Sequence, residues 1–339
     1  MILLKHCKTF YMLILFSLGI LFTSTLLAQQ KPYDSIVVFG SSLSDPGNAF
    51  VVLSDPSSFG FDETCGLLTP MNVPPYDTLD DLFIPDGTYA IGGHHVSNGA
   101  TWVELLARNK GLAGFVRPAL RNSGMEARNY AVGGARANEY PCRFNLSSQL
   151  QAYLANSPVI SADTLFIFEL GGNDLRDALV NLPADPTPII ATAISNIGNA
   201  IGALYYQGAR QFLLMNVPDI GKTPAVQILD SLYPGLAGAA TDLTNAFNFH
   251  LLSLQGNLNS YPNMDVRIFN ANTLLTSIMT NPDDYGIEVT NIPCVTPNVA
   301  PYKCNKPDTY LFWDGLHPTT AVHKIMANTA AEVLYTPLP

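Results

Sequence analysis

Residues 35–48 read SIVVFGSSLSDPGN, a short apolar run that stops at a cluster of serine, glycine, proline and asparagine. Valine, isoleucine and phenylalanine in an unbroken row fit a strand buried on both faces, and the small polar residues after it mark a sharp turn. The same signature recurs at 127–132, 164–170 (TLFIFEL), 211–217 (QFLLMNV) and 265–270. Continuous apolar strands, rather than alternating ones, belong to a parallel sheet with both faces covered. Helix-like stretches lie between them, at 102–109, 147–155, 189–207, 241–255 and 319–334. In the fourth of these, Leu243, Phe247, Leu251 and Leu254 share one face. This alternation predicts an α/β protein, a three-layer α/β/α arrangement around a flavodoxin-like, doubly wound, parallel five-stranded sheet.

Composition supports a packed core. Of 339 residues, 47% are hydrophobic and only 13% charged, which excludes a disordered chain. With 17 Lys and Arg against 27 Asp and Glu the net charge is −10, and no basic cluster is visible, so nucleic acid is not an expected partner. Two stretches interrupt the strand–helix rhythm, 49–99 and 281–309, both rich in proline and polar residues. Loops of that length are usually functional or carry small elements of their own. Neither separates two domains, so 29–339 reads as one domain with two long inserts.

The N-terminus reads differently. Lys5 and Lys8 precede an almost wholly apolar run from Tyr11 to Ala28, which ends TLLAQQ. A basic start, an apolar middle and a small residue before a polar stretch describe a secretory signal peptide, with cleavage expected after Ala28. An uncleaved anchor is the other reading, since about 18 apolar residues nearly span a bilayer. After cleavage no stable membrane span is expected, and the protein is expected to be secreted or periplasmic. Cysteine usage agrees with export: once Cys7 leaves with the leader, Cys65, Cys142, Cys294 and Cys304 remain. Four cysteines allow three pairings. Cys65–Cys142 with Cys294–Cys304 is favoured, the latter closing a short proline-rich loop. Their spacing fits no zinc site.

Ligands of open α/β sheets bind beyond the carboxyl ends of the strands, and four short blocks fall there. FGSSLSDPGN (39–48) puts serines on a turn, where they could react or merely cap a helix. NYAVGGARAN (129–138) carries paired glycines, which let a backbone N–H approach a ligand or simply make a turn. ELGGND (169–174) offers the Asn173 amide, which could point at an oxyanion or form an Asx turn. WDGLHPTT (313–320) places an aspartate three residues before a histidine, a spacing that can hold the imidazole in the tautomer a general base needs.

Taken together and in this order, the four blocks resemble the GDSL or SGNH hydrolase family over 35–335. HHVSNGATWVELLA, NVPDIGKTPA and PDTYLFWDGLHPTT resemble its exported bacterial branch of phospholipase, lecithinase and thermolabile-hemolysin-like esterases. The resemblance implies Ser42 as nucleophile, His317 as general base and Asp314 as its orienting acid. It implies an oxyanion hole made of the Ser42 N–H, the Gly134 N–H and the Asn173 side chain, with Gly133 a weaker substitute for Gly134. It implies no metal and no organic cofactor. Leu43, Ser44, Asp45, Gly47 and Asn48 stand in register behind the nucleophile. One position departs: the family has Asp immediately before the nucleophile, and this chain has Ser41. The expected activity is hydrolysis of lipid or phospholipid acyl esters. Deacetylation of polysaccharide by the same triad and a non-catalytic binding protein on the same fold remain as alternatives.

Overall fold

In the computed structural model, which describes residues 33–65, 95–121, 126–156, 159–295 and 304–335, the first apolar run forms strand β1 (Ser35–Gly40). It is followed by helices α1 (Asn48–Ser54), α2 (Trp102–Asn109) and α3 (Leu146–Asn156). Strand β2 (Thr164–Glu169) leads to α4 (Gly172–Val180) and α5 (Thr187–Tyr206), and β3 (Gln211–Met215) to α6 (Pro224–Leu232) and α7 (Leu236–Leu258). Strand β4 (Asp265–Phe269) and α8 (Ala271–Thr280) complete the main layers. A small parallel pair, β5 (Val289–Pro293) and β6 (Tyr310–Phe312), precedes the closing helix α9 (Thr320–Tyr335). The expected leader at 1–28 lies outside the described residues, as does 66–94 within the first insert.

The main sheet has the order β1-β2-β3-β4, parallel throughout. The expected fifth strand at 127–132 needs correction. It runs beside β1 as a parallel edge, with Val38 N–H donating to Arg128 O at 3.0 Å and Tyr130 N–H to Val38 O at 2.8 Å. It is no regular strand, however, and forms only a bridge at Asn129. The Asn129 side chain accepts from Ala131 N–H (3.0 Å) and donates to Ser44 O (2.8 Å), and its backbone turns to Arg117 and Ala119. A residue that bonds its own backbone two positions on competes with the ladder. Counting this edge, the order by chain position is 2-1-3-4-5, the flavodoxin pattern, with the topological switch at β1.

Alternate residues of each strand enter opposite layers. Val37, Phe39, Phe166, Phe168 and Phe212 face α3, α4, α5 and α7, where Tyr153, Leu175, Ile197 and Phe247 are buried. Ile36, Val38, Leu165, Ile167 and Leu213 face α2, α8 and α9, against Trp102, Leu106, Ile278 and Met326. Both faces are covered, so the layers are three, and the described residues belong to one compact unit. Helix α5 is long and apolar enough to cross a membrane by length and composition. Here it buries Ile190, Ile197, Ile201 and Leu204 in the core, and Asn196 donates to Ala137 O at 3.0 Å. Both favoured disulfides are present, Cys65–Cys142 and Cys294–Cys304, with Cα–Cα distances of 5.3 and 4.9 Å.

Candidate active site

β1 delivers Ser42 to the switch point, and the turn that follows is fastened from below. Asp45 is fully buried and accepts from the backbone N–H groups of Gly47 (2.7 Å), Asn48 and Ala49 (2.9 Å). It also accepts from Gly133 N–H at 2.7 Å, which ties the first block to the second. Asn48 adds two bonds, donating to Asn129 O (2.8 Å) and Ala131 O (2.9 Å). Ser44 Oγ accepts from the Trp102 indole at 3.1 Å, and Gln149 on α3 clasps both the N–H and the carbonyl of Gly40 at 2.9 Å. The turn is therefore held by side chains from three segments, an arrangement that fixes a hydroxyl more firmly than a free loop could.

The Ser42 hydroxyl lies 2.9 Å from His317 Nε2, although 275 residues separate them in sequence. His317 Nδ1 lies 2.8 Å from Asp314 Oδ2 and 3.0 Å from Oδ1. Asp314 has no exposed surface, and its Oδ1 also accepts from the backbone N–H groups of Leu316 (2.8 Å) and His317 (2.7 Å). With Nδ1 facing a carboxylate, the proton belongs on Nδ1 and the Nε2 lone pair faces the serine. The serine, the ring and the carboxylate expected from the sequence are all brought together.

The three expected donors line the same cavity as Ser42. The Ser42 and Gly134 N–H groups have no protein acceptor among the described residues. The Asn173 amide donates one N–H to Ala135 O at 2.9 Å, leaving the other for a ligand. Gly133 differs, because its N–H is engaged by Asp45. Gly134 has φ +80°, a left-handed conformation that disfavours a side chain. Asp174, the last residue of the third block, accepts from Ala137 and Asn138 N–H at 3.0 and 2.9 Å, so the second and third blocks are joined as well.

Two buried carboxyls near Ser42 are pushed above their usual range. Burial raises Asp45 to about 6 against the pull of its four backbone donors. Burial raises Glu169 to about 7, offset in part by hydrogen bonds from Ser41 and Ser44 and by His317. Glu169, Asp174 and Arg136 stand in the second and third blocks but received no role from the sequence, and Gln149 lay outside all four. Arg136 has no exposed surface, and its guanidinium grips Asp177 through Nε (2.8 Å) and Nη2 (2.9 Å). Only the polar character of residues lying beside apolar runs could have pointed to them.

Beyond Ser42 the cavity is apolar. One side is formed by Leu179, Val217, Ile220 and Val226, the other by Leu275, Ile278, Leu311 and Met326. Its volume is about 160 Å³. An apolar cavity of about 150 Å³ accepts benzene, so an acyl chain of several carbons has room here. Among the described residues, no group of three His, Cys, Asp or Glu could hold a metal ion.

A family model described as GDSL-like lipase/acylhydrolase matches residues 36–330. The chain belongs to that family. It is thereby a carboxylic ester hydrolase. Among its relatives, thermolabile hemolysin of Vibrio parahaemolyticus is 24% identical, an alignment that covers 90% of this chain and 64% of the hemolysin. The chain thus spans less than two thirds of that protein's length. A GDSL esterase/lipase of Arabidopsis thaliana is 28% identical, with 93% and 89% covered. A GDSL-like lipase structure from Parabacteroides merdae aligns at 15% identity with a TM-score of 0.45, covering 89% of this chain and 95% of the other.

Proposed function

We propose that this GDSL hydrolase is an exported serine esterase that cleaves acyl esters of lipids or phospholipids through an acyl-enzyme at Ser42. The observation that carries the reading is the 2.9 Å contact between Ser42 Oγ and His317 Nε2 in the wall of a largely apolar cavity. His317 Nε2 takes the Ser42 proton as the oxygen attacks the ester carbonyl, while Asp314 steadies the resulting imidazolium through Nδ1. The carbonyl oxygen becomes an oxyanion, held by the N–H groups of Ser42 and Gly134 and by the free amide N–H of Asn173. Nε2 then gives its proton to the leaving alcohol. A water molecule repeats the sequence on the acyl-enzyme and releases the carboxylic acid.

Export is supported by the leader-like sequence at 1–28 and by the two disulfides, which form in oxidising compartments. Purified Ser42→Ala is expected to lose turnover of a p-nitrophenyl ester, and Ser41→Ala to keep much of it; the opposite outcome overturns the assignment. A panel of acyl lengths tests the substrate class. Octanoyl esters and phosphatidylcholine should be preferred over acetyl esters, whereas a preference for acetylated xylan would mean a glycan deacetylase.

A further inference from the structure

The departure at position 41 removes a carboxylate from the chain beside the nucleophile, and the fold puts another in reach. Glu169 ends β2, directly across from Gly40 in the parallel register. Its side chain turns under the nucleophile turn and accepts from the Ser41 hydroxyl at 2.9 Å through Oε1 and from the Ser41 backbone N–H at 3.0 Å through Oε2. Only 5% of Glu169 is exposed, so these bonds are formed away from bulk water, where they act strongly on geometry. The fit is close. A Cβ on Gly40 would meet Glu169 Oε2 at 3.2 Å and Glu169 O at 3.1 Å.

We propose that Glu169 is a positioning residue for catalysis: its carboxylate clamps Ser41 from the neighbouring strand, fixes the turn that presents Ser42, and places a negative charge behind the Ser42–His317 pair. The proposal rests on the reading of Ser42 as nucleophile and His317 as base. Ser42 follows immediately on the clamped residue, so a shift of Ser41 is passed to the attacking oxygen. The groups that face the carboxylate are Ser41 and Ser44 from the turn and His317 from the segment before α9. His317 is the titratable partner among them. An ionised Glu169 favours the imidazolium that forms when the ring takes the Ser42 proton. Burial holds Glu169 near neutrality, at about 7, so it changes charge in the working range. The acid limb of the rate profile then carries the proton of Glu169 beside any other group that titrates there.

The test uses the full-length exported enzyme with p-nitrophenyl butyrate, a short ester that makes little demand on the acyl cavity. Glu169→Gln keeps the shape and removes the charge. Its kcat is expected to fall by about 10- to 100-fold with KM within about twofold, the size of effect that a misplaced reacting group produces. The acid limb of kcat/KM should become shallower by the one proton that Glu169 contributes. Ser41→Asp combined with Glu169→Gln returns a carboxylate to the turn from the other side, and should recover most of the lost kcat. Labelling by a fluorophosphonate separates the two readings: Ser42→Ala should take no label, while Glu169→Gln should label slowly but completely. If Glu169→Gln fails to fold, Glu169→Asp serves in its place; it keeps the charge at shorter reach, so kcat should fall while the steepness of the acid limb stays. Unchanged kcat and an unchanged pH profile in either variant, or a double variant no better than Glu169→Gln, overturns the proposal.

Discussion

Asp314 reaches Ser42 only through the imidazole, so in the proposed mechanism its effect is on which ring nitrogen carries the proton. Asp314→Asn keeps the volume but can offer its amide N–H to Nδ1, which moves the proton to Nε2 and deprives Ser42 of its acceptor. The expected loss in kcat is about 10⁴-fold, measurable with a chromogenic ester at pH 8. In the proposed mechanism Asn173 acts later, when the oxyanion forms. Asn173→Ala should lower kcat by about 10²- to 10³-fold with little change in KM, because the lost donor serves the transition state. Asn173 was picked out because its block resembles a known family, and Asp314 also because its spacing from His317 suits a base and its orienting acid. Glu169 and Gln149 were not. Each acts across a strand boundary, on Ser41 and Gly40, and nothing in the linear order says which neighbour a buried polar side chain will meet.

The elements hold the site through their ends. α4 starts at Gly172, one residue after Gly171, whose φ of +120° lets β2 turn into the helix that carries Asn173. A Cβ there would collide with the ring of Phe247 and meet Val217 Cγ2 at 2.9 Å. Gly171→Ala should therefore destabilise the fold by at least about 1–3 kcal/mol and displace Asn173. Denaturant unfolding and kcat together check this, since both should fall. The helices with a wide apolar face were legible in sequence, including α2 at its observed bounds. α1, α4, α6 and α8 were not: each has at most ten residues, and α4 and α8 start within three residues of a strand end, where the apolar runs already suggest strand. Local capping marks two of them in retrospect: Asn270 accepts from Thr273 N–H at 2.9 Å at the start of α8, and Thr223 from Val226 N–H at the start of α6. The expectation of a parallel strand at 127–132 was right about direction and wrong about regularity, since Asn129 diverts its own edge.

Across the whole molecule, buried titratable groups set how stability follows pH. Asp45, Asp174 and Glu169 are raised by burial to about 6, 6 and 7. In each case the folded form holds a proton that the unfolded chain has already shed, so stability falls as pH rises from the ordinary carboxyl range to about 7. His323 acts in the opposite sense. Burial lowers it to about 3, and its neutral folded form gains stability as pH rises toward 6.5. Three groups against one leave a net decline, so Tm should be higher at pH 5 than at pH 7.5 by calorimetry. The disulfides contribute through the unfolded chain. Cys65–Cys142 spans 77 residues and Cys294–Cys304 spans 10. Loop-closure entropy assigns them about 4.5 and 3 kcal/mol respectively. Replacing the first pair by alanine should lower the denaturation midpoint more than replacing the second.

The distance along the chain between Ser42 and His317 has one more consequence. A ribosome must finish almost the entire polypeptide before His317 exists, and a truncated product that stops short of that residue carries Ser42 without its hydrogen-bond partner. In a refolding tube, recovered turnover would be a clock for the last long-range closure, lagging behind the return of helical signal.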